Sequence, residues 1–118
     1  MAAKDELGRR GERLAERHLI ARGYRLLARN WRCRHGEIDL VVRDGATIVF
    51  VEVKTRSSDA FGHPFEAITP VKLARMRRLA GVWCEAHPGE RGRVRLDAVA
   101  VLAPREGRPR IEHLVGVS

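Results

Sequence analysis

Aromatic residues are scarce: three Phe, two Trp and one Tyr in 118 residues. Proteins that read single strands by stacking bases on exposed rings need more, so that class is disfavoured. Cysteine is limited to Cys33 and Cys84, far apart and without a Cys-x-x-Cys pair. Neither a zinc ribbon nor a redox motif is supported, and reduced thiols are expected. Cys33-Arg34-His35 has soft-metal ligand types but no second pair, and reads as a loop. No apolar run is long enough to span a bilayer, and the N-terminus shows no signal-like apolar region. A cytoplasmic location without membrane contact is therefore expected. Repeats, low-complexity tracts and linkers are also lacking, so residues 1–118 read as a single domain. Acidic residues are outnumbered, 15 against 23 Lys and Arg, for a net charge of +8. That excess, carried mostly by Arg, favours a polyanionic partner: nucleic acid before an anionic membrane.

What the chain does have is a dense run from Gly36 to Arg56, GEIDLVVRDGATIVFVEVKTR. It reads as a β-hairpin with Asp44-Gly45 as its turn. Along the second strand Ile48, Phe50, Glu52 and Lys54 share one face, and Val49, Val51 and Val53 the other. An Asp44-Gly45 loop places Asp39 diagonal to Glu52, with Cβ atoms roughly 7–8 Å apart. A loop two residues longer places Asp39 directly opposite Glu52. Both counts gather two carboxylates and a lysine on one patch. Carboxylates so close need a cation between them or a shared proton. A hard divalent ion suits them, Mg²⁺ (or Mn²⁺), which is held by one or two carboxylates plus water and phosphate oxygens. Lys54 would then orient or help deprotonate an attacking water and offset phosphate charge. The plainer reading is a surface ion-pair ladder, with Glu52 pairing Lys54 or Arg43.

Around this hairpin, residues 4–22 form an amphipathic pattern. Leu7, Gly11, Leu14, Ala15, His18 and Leu19 share a face, Arg9, Arg10, Arg13 and Arg17 lie opposite, and Gly23 ends the helix. Glu12 sits at the edge of the apolar face. It is solvated or Arg-paired unless the helix crosses the sheet, in which case it points at the carboxylate patch. Residues 24–32 read as a strand that Asn30-Trp31 leaves, with Trp31 in the core. Residues 55–68 read as a polar loop bordering the patch. Its Arg56 and His63 either meet a phosphate or are solvated. Thr69-Pro70 starts a helix that runs to about Ala86 and buries Leu73, Met76, Leu79, Ala80 and Trp83. Lys72 lies on its buried side, where a carboxylate cluster, a bound phosphate or snorkelling would account for it. Arg75, Arg77 and Arg78 lie away from the core, solvated or on phosphate. Residues 93–102 read as an internal strand in which Asp97 pairs an Arg without a catalytic role. Residues 110–115 read as an edge strand.

This order, with acids on the first helix and both hairpin strands, resembles the PD-(D/E)XK nuclease superfamily. Gly8-Arg-Arg-Gly-Glu12, Gly23-Tyr24, Arg29-Asn30, Gly36-Glu-Ile-Asp39, Phe50-Val-Glu-Val-Lys-Thr-Arg56, Phe61-Gly62, Lys72 and Leu96-Asp97 resemble the bacterial YraN family. The resemblance, which extends to the archaeal Holliday junction resolvases, implies an α/β, restriction-endonuclease-like core. Its elements would run α-β-β-β-α-β, with a mixed central sheet flanked by helices. It implies a metal-dependent endonuclease acting on DNA, more than RNA, branched or junction forms included, and a homodimer for paired cuts. Asp39, Glu52 and the Val53 carbonyl would hold Mg²⁺ or Mn²⁺, Glu12 would ligate or orient a water, and Lys54 would position the nucleophile. Arg9, Arg13, Arg56, Lys72 and Arg75 are the residues assigned to nucleic acid. Ile38 stands where the superfamily has Pro before the Asp, a position that carries no metal ligand. A non-catalytic nucleic-acid-binding module of the same fold is the rival function. A structural protein that uses its charges in assembly is the third.

Overall fold

A computed structural model describes residues 3–58 and 64–117. Helix α1 (Ala3–Ala21) leads into strands β1 (Arg25–Cys33), β2 (Gly36–Asp44) and β3 (Thr47–Arg56). A short 3₁₀ turn (Pro64–Ala67), helix α2 (Pro70–Ala86) and strands β4 (Arg93–Leu102) and β5 (Arg110–Leu114) follow. The five strands form one mixed sheet in the order β1-β2-β3-β4-β5. Only β3 and β4 are parallel, joined by the crossover that contains α2; every other pair is antiparallel. The predicted Phe61-Gly62 and His63 lie outside the described residues.

The helices cover opposite faces. Ala15 and Leu19 of α1 pack on Leu40, Val42, Val49, Val51, Val99 and Val101. Met76, Leu79, Ala80 and Trp83 of α2 pack on Ile38, Val41, Ile48, Phe50 and Leu96. Strands β3 and β4 carry apolar residues on both faces because both faces are covered. Thr69 caps α2 as expected, its Oγ1 accepting from the Lys72 N–H at 3.2 Å. Gly23, at φ +93°, reverses the chain after α1.

Three local expectations change. The hairpin turn is Gly45-Ala46, because Asp44 still pairs with Thr47. Gly45 takes φ +58° at the first central position, as in a type II′ turn. The Ala46 carbonyl is held by the Arg93 N–H at 3.0 Å, which ties the turn to the start of β4. Asn30 and Trp31 stay in β1, where Trp31 pairs with Ile38, although Asn30 adopts φ 51°. Strand β3 runs on through Arg56, so the loop begins later than expected.

Asp97, on β4 beside Val51 of β3, is fully buried and ties β4 to β5 and to Gly116. It accepts from Arg95 at 2.9 and 3.0 Å and from the Gly116 N–H at 3.0 Å, and pairs with His113 Nε2 at 2.7 Å. Arg95 also donates to Tyr24 Oη and Asp44. Burial pushes the Asp97 carboxyl up, but the bonds from His113, Arg95 and Gly116 outweigh it and hold it below the usual range. A depressed carboxyl stabilises the fold above its unfolded pKa, and that stability is lost as pH falls through the folded value. Asp97→Ala, which removes a buried carboxylate from the half-buried Arg95 and His113, is expected to cost about 3 kcal/mol at pH 7. Urea unfolding measures this; a loss below about 1 kcal/mol would show the network to be dispensable.

Candidate functional site

The ladder between β2 and β3 stops at Leu40↔Val51. The next residues in that register are Asp39 and Glu52, and there the strands part. Ile38 packs under α2 while Leu40 packs under α1, so β2 loses its two-residue alternation at Asp39. Across from the break, Asn30 of β1 takes its left-handed conformation, which Asn tolerates better than most residues. The Asp39 side chain fills the gap. Its Oδ2 accepts the Val53 N–H at 2.7 Å, in place of the carbonyl that a continuing β2 would offer.

Glu52 and Lys54 leave the same strand toward α2, and Lys54 Nζ lies 3.4 Å from Glu52 Oε1. Glu37, Asp39, Glu52 and Lys54 form one wall of a cleft of about 210 Å³, and Lys72 and Arg75 of α2 the other. Met76 and Leu79 floor it. On the opposite side of the sheet end, Glu12, Val53, Lys54 and Arg56 border a second recess of about 350 Å³. Arg9, Arg13 and Asn30 line a third, also beside Glu12. The notch at Asp39 thus opens toward both helices.

Gly11 is what lets α1 deliver Glu12. A Cβ there would stand 1.8 Å from Thr55 Oγ1 and 2.7 Å from Thr55 Cβ, so the helix backbone lies against β3. The contact joins the neighbour of Glu12 to the neighbour of Lys54.

The carboxylates crowd one another. Burial, then Glu52, with Glu12 and Glu37 adding, pushes the Asp39 carboxyl up to about 7 against the opposing Val53 hydrogen bond. Burial, then Glu37, then Glu52 raises Glu12, while a hydrogen bond from Asn30 and the Arg9 charge oppose. The Lys72 pKa is lowered, first by its hydrogen bond with Lys54.

Of the residues expected at the site, Glu12, Asp39, Glu52, Lys54, Lys72 and Arg75 converge here. Arg9 and Arg13 flank Glu12 on the α1 side. Arg56 sits at the far end of the second recess, with Nη1 3.3 Å from the Thr55 carbonyl. Two neighbours were not singled out as site residues. Glu37 adds charge while pairing with Arg32, and Asn30 holds Glu12. Glu37 precedes the irregular segment of β2; Asn in a strand pattern was the available signal for the distortion.

Among the described residues no three His, Cys, Asp or Glu side chains gather into a ready ligand set. Asp39 and Glu52 are hard oxygen donors, with the Lys54 ammonium 3.4 Å from Glu52. They suit an ion that keeps water and takes substrate oxygens, rather than one needing a full protein cage.

A family model described as "Uncharacterised protein family UPF0102" matches residues 11–101. The chain belongs to the UPF0102 family. This is the YraN family that the motifs indicated. A UPF0102 protein of Beutenbergia cavernae is 60% identical over 117 residues, 99% of each chain. One from Clavibacter michiganensis is 58% identical over 112 residues, 95% of each chain. One from Streptomyces griseus is 55% identical over 119 residues, with both chains fully covered. The UPF0102 match contains Glu12, Asp39, Glu52, Lys54 and Lys72. No helix among the described residues is long and apolar enough to cross a membrane.

Two outcomes follow from the crowding and the close helix contact. A carboxyl raised on folding binds its proton more tightly in the native state, so stability is greatest below the unfolded pKa and falls as pH rises through about 7. Without divalent metal, the Tm contribution of Asp39 should fall between pH 5 and 8, and Mg²⁺ should restore more at pH 8 than at pH 5. Asp39→Asn should flatten both effects; thermal scans in which that variant follows the wild type would contradict this. Gly11→Ala should cost about 1–3 kcal/mol through overpacking. Thr55→Gly should recover part of that in a double-mutant cycle, and strict additivity would reject the contact.

Proposed function

We propose that this protein is a metal-dependent endonuclease that hydrolyses phosphodiesters in DNA, branched and junction forms included. The observation carrying the reading is Asp39. It is released from the ladder beside Glu52 and Lys54, in a protein of net charge +8. The helix–three-strand–helix–strand order around one mixed sheet supports a restriction-endonuclease-like core.

Asp39 and Glu52, with the Val53 carbonyl, would hold Mg²⁺ or Mn²⁺. When bound, that ion polarises the phosphodiester and makes water more acidic. Lys54 orients the attacking water and offsets charge as the bond breaks. Glu12, whose carboxyl is pushed up by burial and by Glu37 and Glu52, orients the water from the α1 side and exchanges a proton with it. Arg9, Arg13, Arg56, Lys72 and Arg75 neutralise backbone phosphates on either side of the notch. Cutting both strands of a junction requires two such notches, hence a homodimer.

The test titrates Mg²⁺ and Mn²⁺ over linear, single-stranded, flap and four-way-junction DNA, scoring cleavage and binding together. Asp39→Ala with Glu52→Ala should lower cleavage by about 10³-fold or more while binding persists. Binding by the wild type without cleavage on any substrate would favour the non-catalytic module.

A further inference from the structure

We infer that the recess between α1 and the end of β3 seats one nucleoside of the bound strand, turned out of its stack beside the reacting phosphate. That the occupant is a nucleoside rests on the function proposed above; the recess itself does not.

The two glycines of α1 need different explanations. Gly11 is required by Thr55, which leaves no room for a Cβ. Gly8, one turn earlier, has no such neighbour. It is half-buried and borders the recess, yet a Cβ there would meet nothing within 4 Å beyond its chain neighbours and the helix backbone. A glycine inside a helix is less stable than an alanine, because it loses more conformational freedom on folding. No packing contact in the free protein uses the opening at Gly8. A ligand lying close against the helix backbone would use it.

The lining indicates the kind of ligand. Leu7 and Val53 supply apolar surface on the α1 side of the sheet, and Thr55, Ser57 and Ser58 carry hydroxyls at the border. Glu12 is set against Lys54 and Arg56, so the recess has no single sign of charge. That mixture suits a neutral group with an apolar body and polar edges, as a deoxyribose with its base has, better than a phosphate. At about 350 Å³ the recess lies at the small end of ligand pockets, roughly 300–1,000 Å³, with room for one nucleoside and not for a base pair. Glu12 and Lys54 belong both to this recess and to the reacting end of the sheet, so the group seated here is a near neighbour of the reacting phosphate along the strand. A nucleotide leaves its stack most readily where it is unpaired, in a single strand, at a flap or at a branch. The recess therefore makes unpaired or branched DNA the preferred substrate class over continuous duplex.

The experiment uses the full chain with labelled Leu and Val methyls and backbone amides, in chelator, so that no cleavage intervenes. It is titrated with thymidine 5′-monophosphate and, separately, with 2-deoxyribose 5-phosphate. The nucleotide should shift the Leu7 and Val53 methyls and the Gly8 amide. The sugar phosphate should leave Leu7 in place, and Leu114, exposed on β5, should respond to neither. Gly8→Ala should raise the Tm by about 2–6 °C, since helix propensity improves and nothing stands in the way. Gly8→Leu, whose side chain would fill the recess, should fold at or above the wild-type Tm. It should weaken binding of the nucleotide and of a flap oligonucleotide about 10-fold and leave continuous duplex within about 2-fold. Unmoved signals, an equal response to the sugar phosphate, or equal losses on flap and duplex would overturn the seat. A lower Tm for Gly8→Ala would mean that the fold itself needs the glycine, and would also overturn it. Gly8→Leu that cleaves flap DNA as the wild type does would overturn the seat and keep the nuclease. Failure of the wild type to cleave DNA, with these shifts intact, would reject the nuclease and keep the seat.

Discussion

The hydrogen bond from the Val53 N–H to Asp39 Oδ2 is the contact on which the site depends. A hairpin that continued its ladder would satisfy Val53 with a backbone carbonyl and turn Asp39 into an ordinary strand residue. Here β2 breaks its alternation at Asp39, and a carboxylate completes what the backbone leaves open. Both outcomes satisfy the buried donor, so the fold loses little. The second also plants a half-buried acid at the end of the sheet, between the two helices. Glu52 and Lys54 follow Val51, the last β3 residue that β2 pairs, and line the same cleft as Asp39.

Around that break charges of both signs crowd together, with Lys54 beside Glu52 and Arg32 on Glu37. Burial and the neighbouring carboxylates raise the affinity of Asp39 and Glu12 for protons, and Lys54 lowers that of Lys72. Such arrangements cost stability in the free protein and become favourable when the missing charges arrive. On the function proposed above, a divalent cation would meet the acids and the phosphates of a nucleic-acid strand the bases. The Asp97 network, on β4 beside Val51, shows the contrast. Arg95, His113 and the Gly116 amide satisfy that carboxylate internally, so it has no need of a ligand.

Much of this was legible in the sequence, for identifiable reasons. Thr69-Pro70 marked the start of α2 because cap and first-turn chemistry are local. The two-faced apolar run of β3 marked an internal strand. The turn was read one residue early, since Asp-Gly is a strong local signal while the contacts that moved it are not local. Arg93 holds the Ala46 carbonyl and Arg95 holds Asp44. The shift preserved parity, so Asp39 and Glu52 stand where the register would pair next, although the ladder ends one residue short of them. Glu12 was ambiguous from periodicity because its placement depends on how closely α1 approaches Thr55. Gly11 encodes that distance, but only a structure shows what lies above it. Asp97 reads from the sequence as the partner of an Arg, which Arg95 is, but His113 and Gly116 join it from 16 and 19 residues away and are not locally legible.

The central claim is that the broken end of the hairpin holds a divalent ion between Asp39 and Glu52. Crystals grown with Mn²⁺ and measured for its anomalous signal test this most directly. The account predicts one strong peak about 2.1 Å from oxygens of both carboxylates, with water filling the remaining positions. A peak that avoids Asp39 and Glu52, or none at saturating Mn²⁺, would contradict it.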